Sequence, residues 1–391
     1  MASIVFSLAI LMNAACSEPL EFADWSVPVA EGTRIIEYPV VPFEERAERI
    51  ELVEDLVIGQ RDEDPDYIFY RPRGVLADSG GRIFVLDGGN YRVQVFDVNG
   101  AYVRTLGSEG QGPGELAQPT GIALAGDHLV VHDTQNAKFS IWSAEGDHLG
   151  DARFTGGRGP VGVVGLASGA LAGRHLRPQP NEQGDGFTLL YELAIFSQEA
   201  EKTLSLQEFP RFEPITVRRA MSDGRIMILT VAAPSPRLDF AATPDGDIYG
   251  TFCAEYQIHA FDETGRPRWA LRLPWERIPF TQQDIDETLE SMRERIEDVD
   301  MSEVDWPERY PALDTLKVDG HGRLWVFPFF KPEDSDERPV DVYSRDGEHL
   351  FSGWIPRMTW DFALGDYVYG RESDDETGEE RITRYRLVWP E

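Results

Sequence analysis

Gly81-Arg82-Ile83-Phe84-Val85-Leu86-Asp87 is followed, at a constant offset of 46, by Asp127-His128-Leu129-Val130-Val131-His132-Asp133. The offset persists without a gap: Asn90 falls on Asn136, Val93 on Phe139, Val95 on Ile141, Phe96 on Trp142 and Gly100 on Gly146. The same template returns, 165 residues from its first copy, as Gly246-Asp247-Ile248-Tyr249 and Ile258-His259-Ala260-Phe261-Asp262-Glu263-Thr264-Gly265. It returns again as Gly322-Arg323-Leu324-Trp325-Val326 with Pro339-Val340-Asp341-Val342-Tyr343-Ser344-Arg345-Asp346-Gly347. Two weaker copies, Gly169 to Leu171 with Glu192 to Phe196 and Asp366 to Tyr369 with Arg381 to Tyr385, bring the number to six.

Each copy holds short runs of β-formers separated by Asp-x-x-Gly-type turns, the pattern of a four-stranded antiparallel meander. Gly100, Gly265 and Gly347 supply the positive φ such hairpins need. Four strands per copy at a period of about 40 to 50 residues point to radial packing around a channel. The expected fold is therefore all-β, a six-bladed β-propeller of four-stranded antiparallel blades. Glu51 to Gly59 resembles the outer strand Ala101 to Gly107, and each precedes a proline, Pro72 or Pro119, that opens the next blade. The N-terminal strand is thus expected to close the ring as the outer strand of the last blade, which removes an open sheet edge.

One segment departs from the β pattern. Ile285, Leu289, Met292 and Ile296 recur at helical spacing behind Thr281 and Asp284, predicting a capped amphipathic helix over 281–297. Trp275, Trp306, Phe329 and Phe330 flank it, as hydrophobic cover or as a stacking surface.

The 391 residues carry 69 acidic against 37 basic side chains, a formal net charge of -32, which argues against nucleic acid as a partner. Ile4 to Met12 is an apolar run of signal-peptide length, too short to span a bilayer, and it ends in Asn13-Ala14-Ala15-Cys16. The organisation expected is a signal peptide over 1–16, a linker or extension over 17–50 and the propeller over 51–391. Small residues before Cys16 resemble a lipobox, implying acylation of that cysteine, export and attachment at the cell envelope, periplasmic or on the outer membrane. Ordinary cleavage near Ala15, giving a soluble secreted protein, is the alternative. Membrane contact is expected only through the anchor. Cys253 is left without a disulfide partner and reads as a small buried hydrophobe.

The stretch from Pro72 to Pro119, with Ile83 to Asp87, Asn90, Arg92 to Asp97, Gly100 and Gly110-Gln111-Gly112-Pro113-Gly114-Glu115, resembles the NHL-type repeats of bacterial six-bladed β-propeller lipoproteins. The resemblance covers nearly all of the mature chain and implies fold and export more directly than activity. In the six-bladed zinc lyases, metal-binding histidines head the innermost strands; the corresponding places here hold Arg73 and Thr120, with Leu313 or Asp314 in the fifth blade. The seven histidines are scattered, and no metal site, catalytic set or cofactor is assigned. Asp87 and Asp133, paired with Asn90 and Asn136, repeat between blades and so read as turn-binding groups. Gly110 to Gly114 lacks the Lys-Ser/Thr of a phosphate loop.

What remains is a set of arginines near expected inner-strand starts: Arg71, Arg73, Arg218, Arg219 and Arg237. Guanidinium groups there can hold a carboxylate or phosphate bidentately; ordinary ion pairing is the alternative. The expected function is that of an envelope-anchored monomer binding a small anionic ligand or a protein partner, more in keeping with a binding module than an enzyme. A channel-centred lyase or hydrolase is the other reading.

Overall fold

The computed structural model describes residues 27–59, 64–155, 159–180, 187–212, 216–220, 226–230, 235–296, 304, 306–331, 335–374 and 377–390. Six sheets stand around one axis, each an antiparallel meander that runs outward from the channel. Blade 1 comprises Pro72–Ala77, Ile83–Asp87, Arg92–Phe96 and Tyr102–Leu106. Blade 2 follows with Pro119–Ala125, His128–Asp133, Lys138–Ser143 and His148–Arg153, and blade 3 with Val161–Gly165, Leu171–Pro180, Phe187–Phe196 and Lys202–Phe212. Blade 4 holds Leu238–Ala242, Asp247–Phe252, Gln257–Asp262 and Pro267–Arg272, and blade 5 Leu313–Val318, Leu324–Pro328, Glu337–Tyr343 and His349–Pro356. Blade 6 takes Thr359–Leu364, Tyr367–Ser373 and Glu380–Val388 from the C-terminal end and Glu51–Ile58 from the N-terminal end. Glu51 pairs with Val388 and Ile58 with Ile382, so the ring closes through the strand expected from the sequence.

The apolar residues sort into six clusters, one between each pair of neighbouring blades. Trp325 and Trp360, for example, meet edge to face with centroids 4.9 Å apart across blades 5 and 6. Gly165 permits the closest approach at the channel: a Cβ there would lie 1.8 Å from the Leu124 carbonyl oxygen of blade 2. The repeated turn acids act as expected. Asp87 accepts from the Tyr70 amide at 2.7 Å and from Asn90 at 2.8 Å, and Asp133 accepts from the amides of Ala117 and Gln118 and from Asn136. They staple each inter-blade connection to the blade it enters.

The helix spans Gln282–Ile296. Its capping acid is Asp284, which accepts from the Thr281 amide at 2.7 Å and also pairs with Lys331. Phe280, Tyr310 and Phe329 form an aromatic column beneath it, with Tyr310 stacked on Phe329 at 4.4 Å. A two-stranded hairpin, Thr216–Ala220 with Ile226–Thr230, lies in the chain between blades 3 and 4.

The described part of the N-terminal extension is bound to the ring. Arg34–Glu37 adds a fifth, parallel strand to blade 4, and Ile50 donates to Trp354 of blade 5 at 2.8 Å. Between them Arg46 is fully buried and pairs with Asp341 of blade 5 at 2.9 Å, while Asp341 also accepts from the Tyr256 hydroxyl of blade 4. The Gln257 amide bonds both Val27 backbone groups and donates to His259 Nε2 at 3.0 Å.

Removing one partner of a buried ion pair leaves the other charge uncompensated. Arg46→Met is therefore expected to lower unfolding stability by about 3 to 5 kcal/mol in urea titrations, and Arg46→Met with Asp341→Leu to recover most of it. Burial, with Arg272 adding repulsion, holds the His259 pKa down at about 4. The unfolded chain then takes up a proton near pH 6.5 that the folded chain refuses, so stability is complete above that value and falls as pH drops toward 4. A loss of about 2 kcal/mol between pH 7 and pH 5 is expected, and His259→Gln should remove most of that slope.

Candidate functional site

In an antiparallel blade the start of the inner strand lies beside the end of the second strand, which in turn meets the start of the third: Pro72 is opposite Asp87, and Asp87 opposite Arg92. All three positions from every blade therefore gather at one mouth of the channel. Between blades 5 and 6 this mouth opens into a cavity of about 700 Å³. Its lining includes Arg338, Arg357, Arg371 and Arg381 against two carboxylates, Asp314 and Glu372, with Phe329 and Phe330 on one side.

The pairing within this set leaves cationic charge over. Asp314 is shared between Arg338 at 2.7 Å and Arg237 of blade 4 at 3.2 Å. Arg381 is paired with Glu372 at 2.7 Å. Arg371 spends itself on Asp361, with one contact at 3.0 Å and a second from Nε, and donates to the Pro72 carbonyl of blade 1 at 2.7 Å. Exposed Arg357 makes no ion pair among the described residues. Arg338 also lies 4.1 Å from the Phe327 ring centroid. Burial depresses its pKa, Asp314 resists, and the charges of Arg357 and Arg237 push it down further, which is the mark of a crowded cationic cluster.

The arginines expected from the sequence divide. Arg237 is at the mouth, immediately before Leu238, and joins the cluster through Asp314. Arg73 is exposed on the inner strand of blade 1, its stem resting on Gly88, where a Cβ would come within 2.4 Å of its Cγ. Arg71 stands just before that strand with φ +48°, its guanidinium 5.1 Å from the Tyr70 ring centroid. Arg218 and Arg219 do not head an inner strand: they sit in the hairpin before blade 4, opposite Ile228 and Met227, and their side chains fall outside the described residues. Arg174, Arg338, Arg357, Arg371 and Arg381 were not anticipated. Arg174 and Arg371 lie on second strands and Arg338 and Arg381 near third-strand starts, places that antiparallel register, followed one strand further out, brings to the same mouth.

The positions compared with the zinc lyases are also resolved. Thr120 is exposed at the mouth, Leu313 is buried in the core between blades 4 and 5, and Asp314 is the shared counter-ion. Among the described residues no three His, Cys, Asp or Glu side chains converge to hold a metal ion. The glycine-rich loop is occupied from within, since Gly112 donates to Glu115 and the Gly110 and Gly112 carbonyls accept from Asn136 and Lys138. Cys253 is fully buried, and burial raises its thiol pKa far above the ordinary value.

Residues 73–155 match the family described as 6-bladed beta-propeller. The chain is folded as a six-bladed β-propeller. Over 62 residues, 16% of this chain and 6% of the other, it is 42% identical to the RING finger protein nhl-1 of Caenorhabditis elegans. Among solved structures it is similar to a protein of Bacteroides fragilis NCTC 9343 described in its name as exported, at 14% identity and a TM-score of 0.51, covering 91% of this chain and 100% of that one. A member of the DUF4221 family from Bacteroides vulgatus is 11% identical with a TM-score of 0.50, covering 87% of this chain and 99% of that one. At these identities the structural likeness concerns the fold. No helix among the described residues is long and apolar enough to cross a membrane.

Arg371 ties the second strand of blade 6 to the first strand of blade 1 beside the closing seam. Arg371→Leu, which strands Asp361, is expected to cost about 2 to 4 kcal/mol in urea unfolding, with Asp361→Asn in the same chain recovering part of it.

Proposed function

We propose that this propeller is a binding module that takes a small multivalent anion into the arginine-lined mouth between blades 5 and 6. The observation that carries the reading is the local reversal of charge: four arginines face two carboxylates in the cavity, within a chain whose formal net charge is -32. An anion bearing two or more charges, such as a dicarboxylate, a phosphate ester or an acidic sugar, would meet Arg357 and Arg381 as bidentate donors and relieve the repulsion around Arg338. Phe329 and Phe330 add an apolar wall against which a ring or short chain can rest. The acidic remainder of the surface disfavours anions everywhere else, so the mouth acts as a focus.

Calorimetric titration at low salt with pyrophosphate and with citrate tests this. Binding is expected for at least one, and Arg357→Ala and Arg381→Ala should each weaken it about tenfold, the worth of one charge-assisted hydrogen bond. Equal affinity in the double variant, or anion-dependent turnover by the wild type, would replace this reading with another.

We further propose that the module works as a monomer tethered at the cell envelope through acylated Cys16, and that nucleic acid is not among its partners. Support comes from the apolar run and small residues ahead of Cys16, which lie outside the described residues, and from the Bacteroides fragilis protein of similar fold, whose name describes it as exported. Metabolic labelling with palmitate should mark the wild type, and Cys16→Ser should release unlabelled protein to the soluble fraction.

A further inference from the structure

Beneath the arginine mouth the channel widens into a second chamber of about 390 Å³. The inner strands of five blades line it with Leu76, Ile122, Val163, Phe240, Phe362 and Leu364. Blade 5 contributes Lys317 instead. Asp361 is the other ionisable inner-strand side chain in the lining; Asp245, Asp319, His321 and Arg345 stand at the far rim, with Asp319 held by Arg323. A cleft of about 30 Å³ joins the two spaces: Lys317 and Trp360 line both cleft and chamber, while Arg338 and Met358 line both cleft and mouth.

Lys317 makes no hydrogen bond or ion pair among the described residues. The two carboxylates that attract it are already engaged. Asp239 accepts from the Thr315 hydroxyl and the Leu316 amide, each at 2.8 Å, and lies 3.9 Å from Arg174; Asp361 is gripped by Arg371. Burial therefore prevails, and with repulsion from Arg338 and Arg371 it holds the amine below the ordinary lysine range. A cation in an apolar wall gains most from a counter-ion that brings its own hydrocarbon, because such a ligand neutralises the charge and covers the apolar surface in one step. At about 30 Å³ for each water-sized group, the chamber holds on the order of a dozen non-hydrogen atoms.

We propose that the lower chamber is a binding site for an aliphatic monocarboxylate of about ten carbons, its carboxylate on the Lys317 ammonium and its chain against the apolar ring. The site is distinct from the one at the mouth, since none of the mouth arginines lines the chamber. It makes the channel a two-compartment device with separate chemistries for hydrophilic and amphipathic anions.

The test uses the full chain, with calorimetry as readout and decanoate, 1-decanol and pyrophosphate as probes. Decanoate should saturate the wild type at least tenfold more tightly than 1-decanol. Lys317→Met should abolish that preference while leaving pyrophosphate affinity unchanged. Val163→Trp, which fills the chamber and keeps Lys317, should eliminate both ten-carbon probes. Equal affinity for acid and alcohol in the wild type, a preference that survives Lys317→Met, or no saturation by decanoate below about 1 mM would each overturn the proposal; a millimolar dissociation constant is about 4 kcal/mol, too weak for a built site.

Discussion

A blade has two apolar faces, and only its neighbours can cover them. Every other feature of the molecule follows from that requirement. Six clusters, each shared by two blades, hold nearly all the large buried side chains, and no cluster belongs to a single sheet. Stability is thus distributed around a circle of interfaces, and any gap in the circle would expose two of them. The channel is what the circle leaves over: the edges of six inner strands, whose side chains are relieved of packing duty at the mouth and free to carry charge.

The parts of this architecture that were legible in the sequence are those that every blade needs. The period of the repeat, the turn acids Asp87 and Asp133, the helix from Gln282 to Ile296 and the closing strand from Glu51 to Ile58 all answer local demands, so local patterns announce them. The mouth was only partly legible. Its expected occupants were sought at inner-strand starts, which located Arg237, but most of its arginines arrive from second and third strands through pairing that is non-local in sequence. The strongest repeats put structural Asp87 and Asp133 at second-strand ends, whereas the weak sixth copy puts Arg371 near the same place. On blade 6 an arginine of the cavity thus stands where the turn acid of the stronger copies is not repeated. Arg218 and Arg219 misled because nothing in their pattern distinguishes a hairpin between blades from the opening strand of one.

The contrast between surface and mouth is as informative as either alone. The exterior carries most of the net charge of -32, and an inward-facing group of arginines in such a field is a local maximum of positive potential. Arginine suits that place because it remains charged when half-buried and crowded, as Arg338 is. Lys317, deeper and more easily neutralised, suits a different partner.

The closing strand has a consequence for how the chain comes into being. Glu51 to Ile58 is synthesised before the inner strand of any blade, yet its partner, Glu380 to Val388, follows the inner strands of all six. For most of synthesis the early strand is an unmatched edge, and five blades can assemble before the sixth has its full complement. A chain cut short before Glu380 would keep that edge open and offer it to another copy in the same condition. Ring closure therefore depends on two strands more than 300 residues apart: only a molecule that carries both Glu51 to Ile58 and Glu380 to Val388 can satisfy itself.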